Sequence, residues 1–302
     1  MNSLIKNVGV AILVVILSIF QVNAQQKWDK NSKKIILITG TASGMGKATA
    51  EKLIAEGHTV YGGDVQYEKN KFLDGIGGHS LDMDVTNDEE VKAGVAKIIA
   101  EQGRIDILIN NAGYGLFAPI EEVSIEDAMQ QMNVNMFGYA RTVKAVLPHM
   151  RKQKMGRIIN LTSMGGKIYT PLGGWYHASK HAIEGWSDCL RLEVKEFNID
   201  VVVVEPGIIK TNFYNAAMEV SGKYYKDSNY QHMIPDMSSE DSQNLMANAT
   251  EPGVIADLMN KIVRKRKPKT RYVKGRMAKT AIWYRDVFGD KAYDKLITRS
   301  LR

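Results

Sequence analysis

From Lys33 onward, short apolar runs alternate with helix-length amphipathic segments, and this alternation constrains the fold more than any other feature of the chain. Ile35-Ile-Leu-Ile38 is continuously apolar, the pattern of a strand buried on both faces. It runs into Thr39-Gly40-Thr-Ala-Ser43-Gly44-Met45-Gly46, and a helix then ends near Gly57. Thr59 to Tyr61 reads as a second strand, Gly78 to Val85 contains a third, and Val91 to Gln102 reads as a helix. Ile105 to Ile109 is a fourth strand, followed by a long helix from about Ile125 to Met150 whose last turn Pro148 should disturb. Gly156 to Leu161 is a fifth strand, the helix carrying Tyr176 runs to about Phe197, and Ile199 to Val204 is a sixth strand. Helices returning between strands keep those strands parallel and cover both faces. The expected fold is therefore α/β, a Rossmann-type doubly wound parallel sheet, with residues 33–302 forming a single domain.

Between Thr211 and Pro252 the alternation fails, and Tyr, Met, Asn and Ser accumulate. Ligands of open α/β sheets bind at the carboxyl ends of the strands, so this insertion is read as a substrate lid rather than a plain surface excursion. Lys261 to Arg276 is strongly basic but interrupted by apolar residues. It reads as a solvated helix end broken at Pro268 and followed by a short strand around Arg271 to Val273, so no nucleic-acid partner is expected. The segment from Ala278 to Ile297 carries Ile282, Trp283, Val287, Phe288, Tyr293 and Leu296 at loosely helical spacing. Core packing, a cover for the pocket, a subunit contact and a membrane contact all remain open for it.

The first residues are a separate unit. Lys6 precedes an almost wholly apolar run from Val8 to Phe20, and Val22-Asn-Ala24 places small residues where a signal peptidase reads them. Residues 1–24 are expected to be a signal peptide, exporting the protein, or an N-terminal anchor through residues 5–21; residues 25–32 are a polar tether. The excess of Lys at positions 27, 30, 33 and 34 would keep an anchored domain cytoplasmic. The single cysteine, Cys189, excludes a disulfide framework and a multi-cysteine metal site, and is expected in the core. His177 and His181 stand at zinc-binding spacing, but no glutamate lies between them and Lys180 adjoins, so no metal is expected.

Three features carry chemistry. Gly40, Gly44 and Gly46 between a buried strand and a helix permit a tight turn and close approach of a pyrophosphate to the helix start. Asp64 follows the second strand, where a carboxylate accepts hydrogen bonds from adenosine ribose hydroxyls and repels an added phosphate. With no cation at Val65 or Ser43 to offset that repulsion, NAD is favoured over NADP. Tyr176-His-Ala-Ser-Lys180 sets a phenol and an ammonium on one helix face. A free phenol, with a pKa of about 10, transfers protons poorly at neutral pH, and an adjacent cation favours its ionised form.

Thr39-Gly-x-x-x-Gly-x-Gly46, Asp84-Val85, Asn110-Asn111-Ala112-Gly113, Asn135, Ser163, Tyr176-x-x-x-Lys180 and Pro206-Gly207 through Thr211 occur in one order along the chain. In that order and spacing the chain resembles the single-domain short-chain dehydrogenases/reductases from about Lys33 to Lys269. Gly156 to Thr211 is similar to bacterial oxidoreductases related to 17β-hydroxysteroid dehydrogenases. The resemblance implies that Tyr176 is the general acid/base and that Lys180 holds the nicotinamide ribose and lowers the Tyr176 pKa. It implies that Ser163 bonds the substrate oxygen and that Asn135 perturbs the long helix and positions a relay water. It also implies a cofactor site of Gly40, Ser43, Gly44, Met45, Gly46, Asp64, Asp84, Val85, Asn111, Ala112, Gly113, Tyr176, Lys180, Pro206, Gly207 and Thr211, with Asn110 and Gly113 shaping its floor.

The expected function is NAD(P)-dependent hydride transfer between nicotinamide and a secondary alcohol or ketone. Tyr114, Leu116, Phe117, Met164, Tyr169, Leu172, Trp175 and the lid would line an apolar pocket suited to a hydrophobic substrate. A homo-oligomer is expected. The competing reading is a catalytically silent cofactor-binding or scaffold protein.

Overall fold

The computed structural model describes residues 28–299 apart from Pro235 and Met237. Its strands are β1 (Ile35–Thr39), β2 (Thr59–Asp64), β3 (His79–Asp82), β4 (Ile107–Asn110), β5 (Gly156–Leu161), β6 (Ile199–Pro206) and β7 (Arg271–Lys274). They form one sheet in the order β3-β2-β1-β4-β5-β6-β7, every neighbouring pair parallel. The main helices are α1 (Gly44–Ala55), α2 (Asp88–Gln102), α3 (Ile125–Met132), α4 (Gly138–Gln153) and α5 (Gly174–Glu193). They continue with α6 (Phe213–Ser221), α7 (Glu240–Ala247), α8 (Pro252–Arg264), α9 (Ala278–Phe288) and α10 (Asp290–Arg299).

Side chains alternate across a strand, and the sheet uses both sides. Ile36, Ile38, Ile107, Ile109, Val202 and Val204 pack with Leu53 of α1 and Ile255, Met259 and Ile262 of α8. Leu37, Leu108, Ile158 and Val201 pack on the opposite face with Val95 and Ile98 of α2, Val146 and Met150 of α4 and Leu190 of α5. Because β1 pairs with both β2 and β4, chain order reverses at β1. A crevice at the carboxyl ends of the strands follows from that reversal. The helix starts are chemically marked: Asn87 accepts from Glu89 N and Glu90 N at α2, and Ser124 accepts from Asp127 N at α3.

Several elements depart from the sequence reading. The strand at Arg271 belongs to the main sheet as its seventh strand, because β7 pairs with the end of β6. The long helix is not continuous: a π-helical turn, Asn133–Phe137, separates α3 from α4. Pro148 does not end α4, which runs to Gln153, since Val143, Val146 and Met150 clamp it to the sheet on either side of the missing N–H. The Tyr176 helix stops at Glu193, before a short 3-10 turn, Lys195–Phe197. The 211–252 segment is more helical than irregular, holding α6 and α7. Cys189 is exposed, not in the core, because Ile183, Ser187 and Leu190 define the buried stripe of α5 and position 189 falls off it.

The tether is docked where it is described. Trp28 donates Nε1–H to Val263 O at 3.0 Å, and the Arg157 guanidinium stacks 3.9 Å from its ring centroid. Arg157 is fully buried and bonds Asp200 at 2.6 Å through Nη2 and Ile262 O through Nη1, which ties β5, β6 and α8 together. Residues 1–24, and with them the signal-peptide and anchor readings, lie outside the described residues. Among the described residues no helix is long and apolar enough to cross a membrane.

Candidate active site

Strand β1 ends at Thr39, whose hydroxyl accepts from both Asn111 N and Ala112 N at 3.0 Å. Asn111 returns the tie by donating Nδ2–H to Thr39 O and Gly40 O at 2.9 and 2.8 Å. The glycine turn and the segment after β4 are thereby locked together. Gly46 sits against this joint so closely that a Cβ there would lie 1.9 Å from Gly40 O. Gly40 has φ +74°, and a Cβ on it would meet Ala112 Cα at 2.8 Å. Ser43 makes no side-chain cap to α1, which leaves the first-turn N–H groups of that helix without a side-chain partner. The Thr211 methyl lies at ordinary contact distance from where a Gly44 Cβ would be, 3.4 Å. Backbone donors, a helix start and a cradle that only glycine fits are what a dinucleotide pyrophosphate requires, so these residues fit the group.

The sequence-predicted catalytic residues converge. Ser163 follows β5, its Oγ accepts from Gly165 N at 3.0 Å, and it lines the same cleft as the Tyr176 phenol. Tyr176 and Lys180 occupy successive turns of α5, both buried, with Lys180 Nζ 5.8 Å from the Tyr176 ring centroid. Lys180 donates to Leu161 O at 3.2 Å. Asn135 stands in the π-helical turn with no solvent exposure, accepting from Tyr114 N at 3.1 Å and donating to Tyr114 O at 3.0 Å and Ser179 Oγ at 3.1 Å. The widened turn is what carries its amide inward, where a Cβ on Gly113 would meet both Asn135 Oδ1 and Lys180 Nζ.

These groups open onto a cleft lined by Met45, Asn111, Gly113, Ser163, Tyr176, Lys180, Pro206, Gly207 and Thr211 among the expected residues. Phe117, Phe213 and Tyr214 form its aromatic wall, with Phe117 and Phe213 centroids 5.3 and 5.6 Å from Tyr176. The first turn of the 211–252 segment thus contributes to the cleft wall.

Electrostatics differ from the simple pairing read from the sequence. Burial pushes the Tyr176 phenol above its ordinary value, and the neighbouring Ser163 hydroxyl opposes that. Burial also lowers Lys180 to about 8, with Glu184 working against the shift. The ammonium is aimed at the Leu161 carbonyl and not directly at the phenol oxygen, so burial dominates both groups.

Other expected residues have packing or turn roles. Asn110 faces away from the crevice, donating to Asn160 Oδ1 at 2.9 Å and accepting from Thr142 Oγ1 at 2.6 Å, so it does not shape the cofactor floor. Asp84 accepts from Thr86 N and Oγ1 at 2.8 Å, and Val85 is buried against Gly138. Asp64, at the end of β2, accepts from Ala42 N at 2.9 Å and Gln66 N at 2.8 Å, which brings it beside the glycine turn. Gly207 admits the Arg276 carbonyl, 2.1 Å from where its Cβ would stand. His177 accepts from Thr170 N at Nε2 and bonds Gly165 O through Nδ1, bracing the loop beside the cleft. Among the described residues no cluster of metal-ligating side chains occurs.

Thr39, Ser179 and a buried carboxyl pair, Glu184 and Glu205, were not legible as site residues. Glu184 accepts from Thr162 Oγ1 at 2.6 Å and pairs with Lys167 and Arg271 at 3.0 Å. Glu205, 3.5 Å from Arg271, is pushed up to about 7, first by burial and then by the Glu184 carboxylate. The folded state thus holds this proton more tightly than the unfolded chain, whose ordinary value is 4.5. Stability from this group is full below the ordinary value and is lost as pH rises through about 7. Glu205→Gln should flatten that decline, giving a Tm above wild type at pH about 8 and close to it at pH about 5 in paired melts. Parallel declines in the two proteins would exclude Glu205 as its source.

Comparison with known proteins agrees with this geometry. A family model described as short chain dehydrogenase matches residues 34–220. The 3-ketodihydrosphingosine reductase of Bacteroides thetaiotaomicron is 48% identical over 60% of this chain, and the match spans 65% of that protein's length, just under two thirds. The NADPH-dependent 3-dehydrocapnine reductase of Ornithobacterium rhinotracheale is 31% identical over 88% of this chain and 96% of its own. A short-chain dehydrogenase structure from Streptomyces avermitilis superposes with a TM-score of 0.71 at 28% identity, covering 85% of this chain and 93% of that one. With well over half of its length matched by the family model, and the same doubly wound sheet, this chain belongs to the short-chain dehydrogenase family of oxidoreductases.

Proposed function

We propose that this protein reduces the carbonyl of a hydrophobic, long-chain ketone to a secondary alcohol, with Tyr176 as general acid and NADH as the preferred reductant. One observation carries the reading: Ser163, Tyr176 and Lys180 meet at the floor of a cleft whose wall is Phe117, Phe213 and Tyr214. A reduced nicotinamide, when bound, supplies the hydride to the carbonyl carbon. Tyr176 Oη donates the proton to the carbonyl oxygen, and Ser163 Oγ hydrogen-bonds that oxygen as charge develops on it. Lys180 supports the phenolate that remains and binds ribose hydroxyls. Asn135 acts as a positioning residue, holding the π-helical turn to Tyr114 and Ser179. A phenol pushed upward by burial stands protonated at neutral pH, the form that reduction needs.

The aromatic wall favours an apolar chain over a charged metabolite. The two reductases named above act, by their names, on 3-oxo compounds, and dihydrosphingosine is a long-chain base. NADH is preferred in this proposal because the Asp64 carboxylate lies beside the glycine turn, where the extra phosphate of NADPH would meet it.

The test is the initial rate of cofactor oxidation with a homologous series of 3-ketones. The kcat/KM should rise about fourfold per added methylene until the cleft is filled. NADH should exceed NADPH by at least about tenfold, roughly 1.4 kcal/mol. A preference for NADPH would overturn the assignment to Asp64. Tight cofactor binding with no turnover of any ketone would favour the silent-protein reading.

A further inference from the structure

The C-terminal helices carry a surface that the catalytic reading does not use. Trp283, Val287 and Phe288 on α9 are each more than half exposed, and Leu296 on α10 is 46% exposed. Trp283 and Phe288 meet edge to face at 5.6 Å, and Tyr284 lies 4.9 Å from Phe288, so the rings form one cluster. Single exposed apolar residues need no explanation, but a clustered Trp and Phe in water do.

Charge identifies the occupant. Lys265 to Arg302 holds thirteen Lys and Arg against three Asp, a net +10 in a chain whose total is +7. Lys274, Arg276, Lys279, Lys291, Lys295 and Arg299, which flank the aromatic cluster in sequence, are all exposed. Two of the three acids are engaged at home: Asp290 pairs with Arg285 at 3.0 Å and Asp294 accepts from the Tyr169 hydroxyl at 2.9 Å. A second copy of this face would bring like charges together across a two-fold contact, which disfavours self-association. An anionic lipid surface satisfies both features, since its headgroups attract the cations while Trp and Phe enter the interfacial region.

The location suits that partner. Helix α9 packs against the Met164–Gly166 turn, Arg285 donates to Lys167 O, and Tyr169 stacks edge to face on Tyr293 at 5.2 Å. Met164 and Thr170 at the two ends of that loop line the catalytic cleft. We infer that the aromatic cluster of α9, with its surrounding Lys and Arg, docks the catalytic domain onto anionic membrane lipid and brings the cleft close to the bilayer surface. The inference does not depend on which ketone is reduced.

The experiment is flotation of the full-length protein with vesicles of phosphatidylcholine alone or mixed with phosphatidylglycerol, comparing wild type with Trp283→Glu/Phe288→Glu. Both positions are exposed and outside the catalytic cluster, so fold and turnover of a short soluble ketone should be unchanged. Binding to the anionic vesicles should weaken at least tenfold in the double variant and fall in high salt. Equal binding of both proteins would overturn the inference. Equal wild-type affinity for neutral vesicles would overturn it as well. A change in oligomeric state of the variant, with lipid binding intact, would reassign the patch to a subunit contact.

Discussion

Replacing Tyr176 with phenylalanine should lower kcat for ketone reduction by about 10²- to 10⁴-fold, the usual contribution of a positioned general acid. The substitution removes one hydroxyl and keeps the ring, so the contacts to Phe117 and Phe213 at 5.3 and 5.6 Å survive. Ser163 keeps its bond to Gly165 N. Stability should therefore change by no more than about 1 kcal/mol. Cofactor affinity should be close to wild type, because Lys180 and the glycine turn are untouched. Single-turnover rates with saturating cofactor, a cofactor titration and a melting curve separate these effects. Turnover within a few-fold of wild type would remove Tyr176 from the chemistry. Weakened cofactor binding without a slower chemical step would recast it as a binding residue.

The second large effect belongs to Gly46. An alanine methyl there would stand 1.9 Å from Gly40 O and 2.5 Å from Asn111 Nδ2. A backbone carbonyl held by Asn111 cannot swing aside, so the start of α1 must move or the Asn111 bonds to Thr39 O and Gly40 O must break. Overpacking of this kind costs about 1–3 kcal/mol and sometimes more. The displaced segment is also the proposed pyrophosphate cradle, so Gly46→Ala should weaken NAD(H) binding by at least about 100-fold, roughly 2.7 kcal/mol. Gly185→Ala provides the control. Nothing lies within 4 Å of its added methyl, it is exposed within α5, and it should gain about 0.5–1 kcal/mol. Cofactor titration and melts of both variants decide the matter. Unchanged affinity in a folded Gly46→Ala protein would show that the cradle does not hold the cofactor.

Much of the site was legible because its parts are local. The Gly40–Gly46 turn, the Tyr176/Lys180 pair and Asp64 each depend on spacing along one element or on the residue that follows a strand. Ser163 and Asn135 were reached through the resemblance, and the structure sets both beside the pair. What stayed hidden was non-local. Glu184 and Glu205 are 21 positions apart and face each other only because α5 packs on β6. Asn110 and Asn111 could not be separated by sequence pattern, since alternation along β4 sends one into the core network and the other to the glycine turn. The Cys189 placement erred for a related reason: one position of rotation on a helix is the difference between core and solvent.

Hydrophobic periodicity and turn chemistry were sufficient for the α/β class, the parallel order and the position of the crevice. Strands apolar on both faces, separated by helices, have few other ways to bury themselves. Tertiary packing alone determined that β7 completes the sheet and that the helix carrying Asn135 widens into a π turn. It also determined that Lys180 is aimed at a carbonyl and that burial, more than the neighbouring charge, governs the Tyr176 phenol. Periodicity reports which face of an element is buried. Desolvation and hydrogen-bond direction depend on what the rest of the chain brings against that face, and that is settled only when distant segments meet.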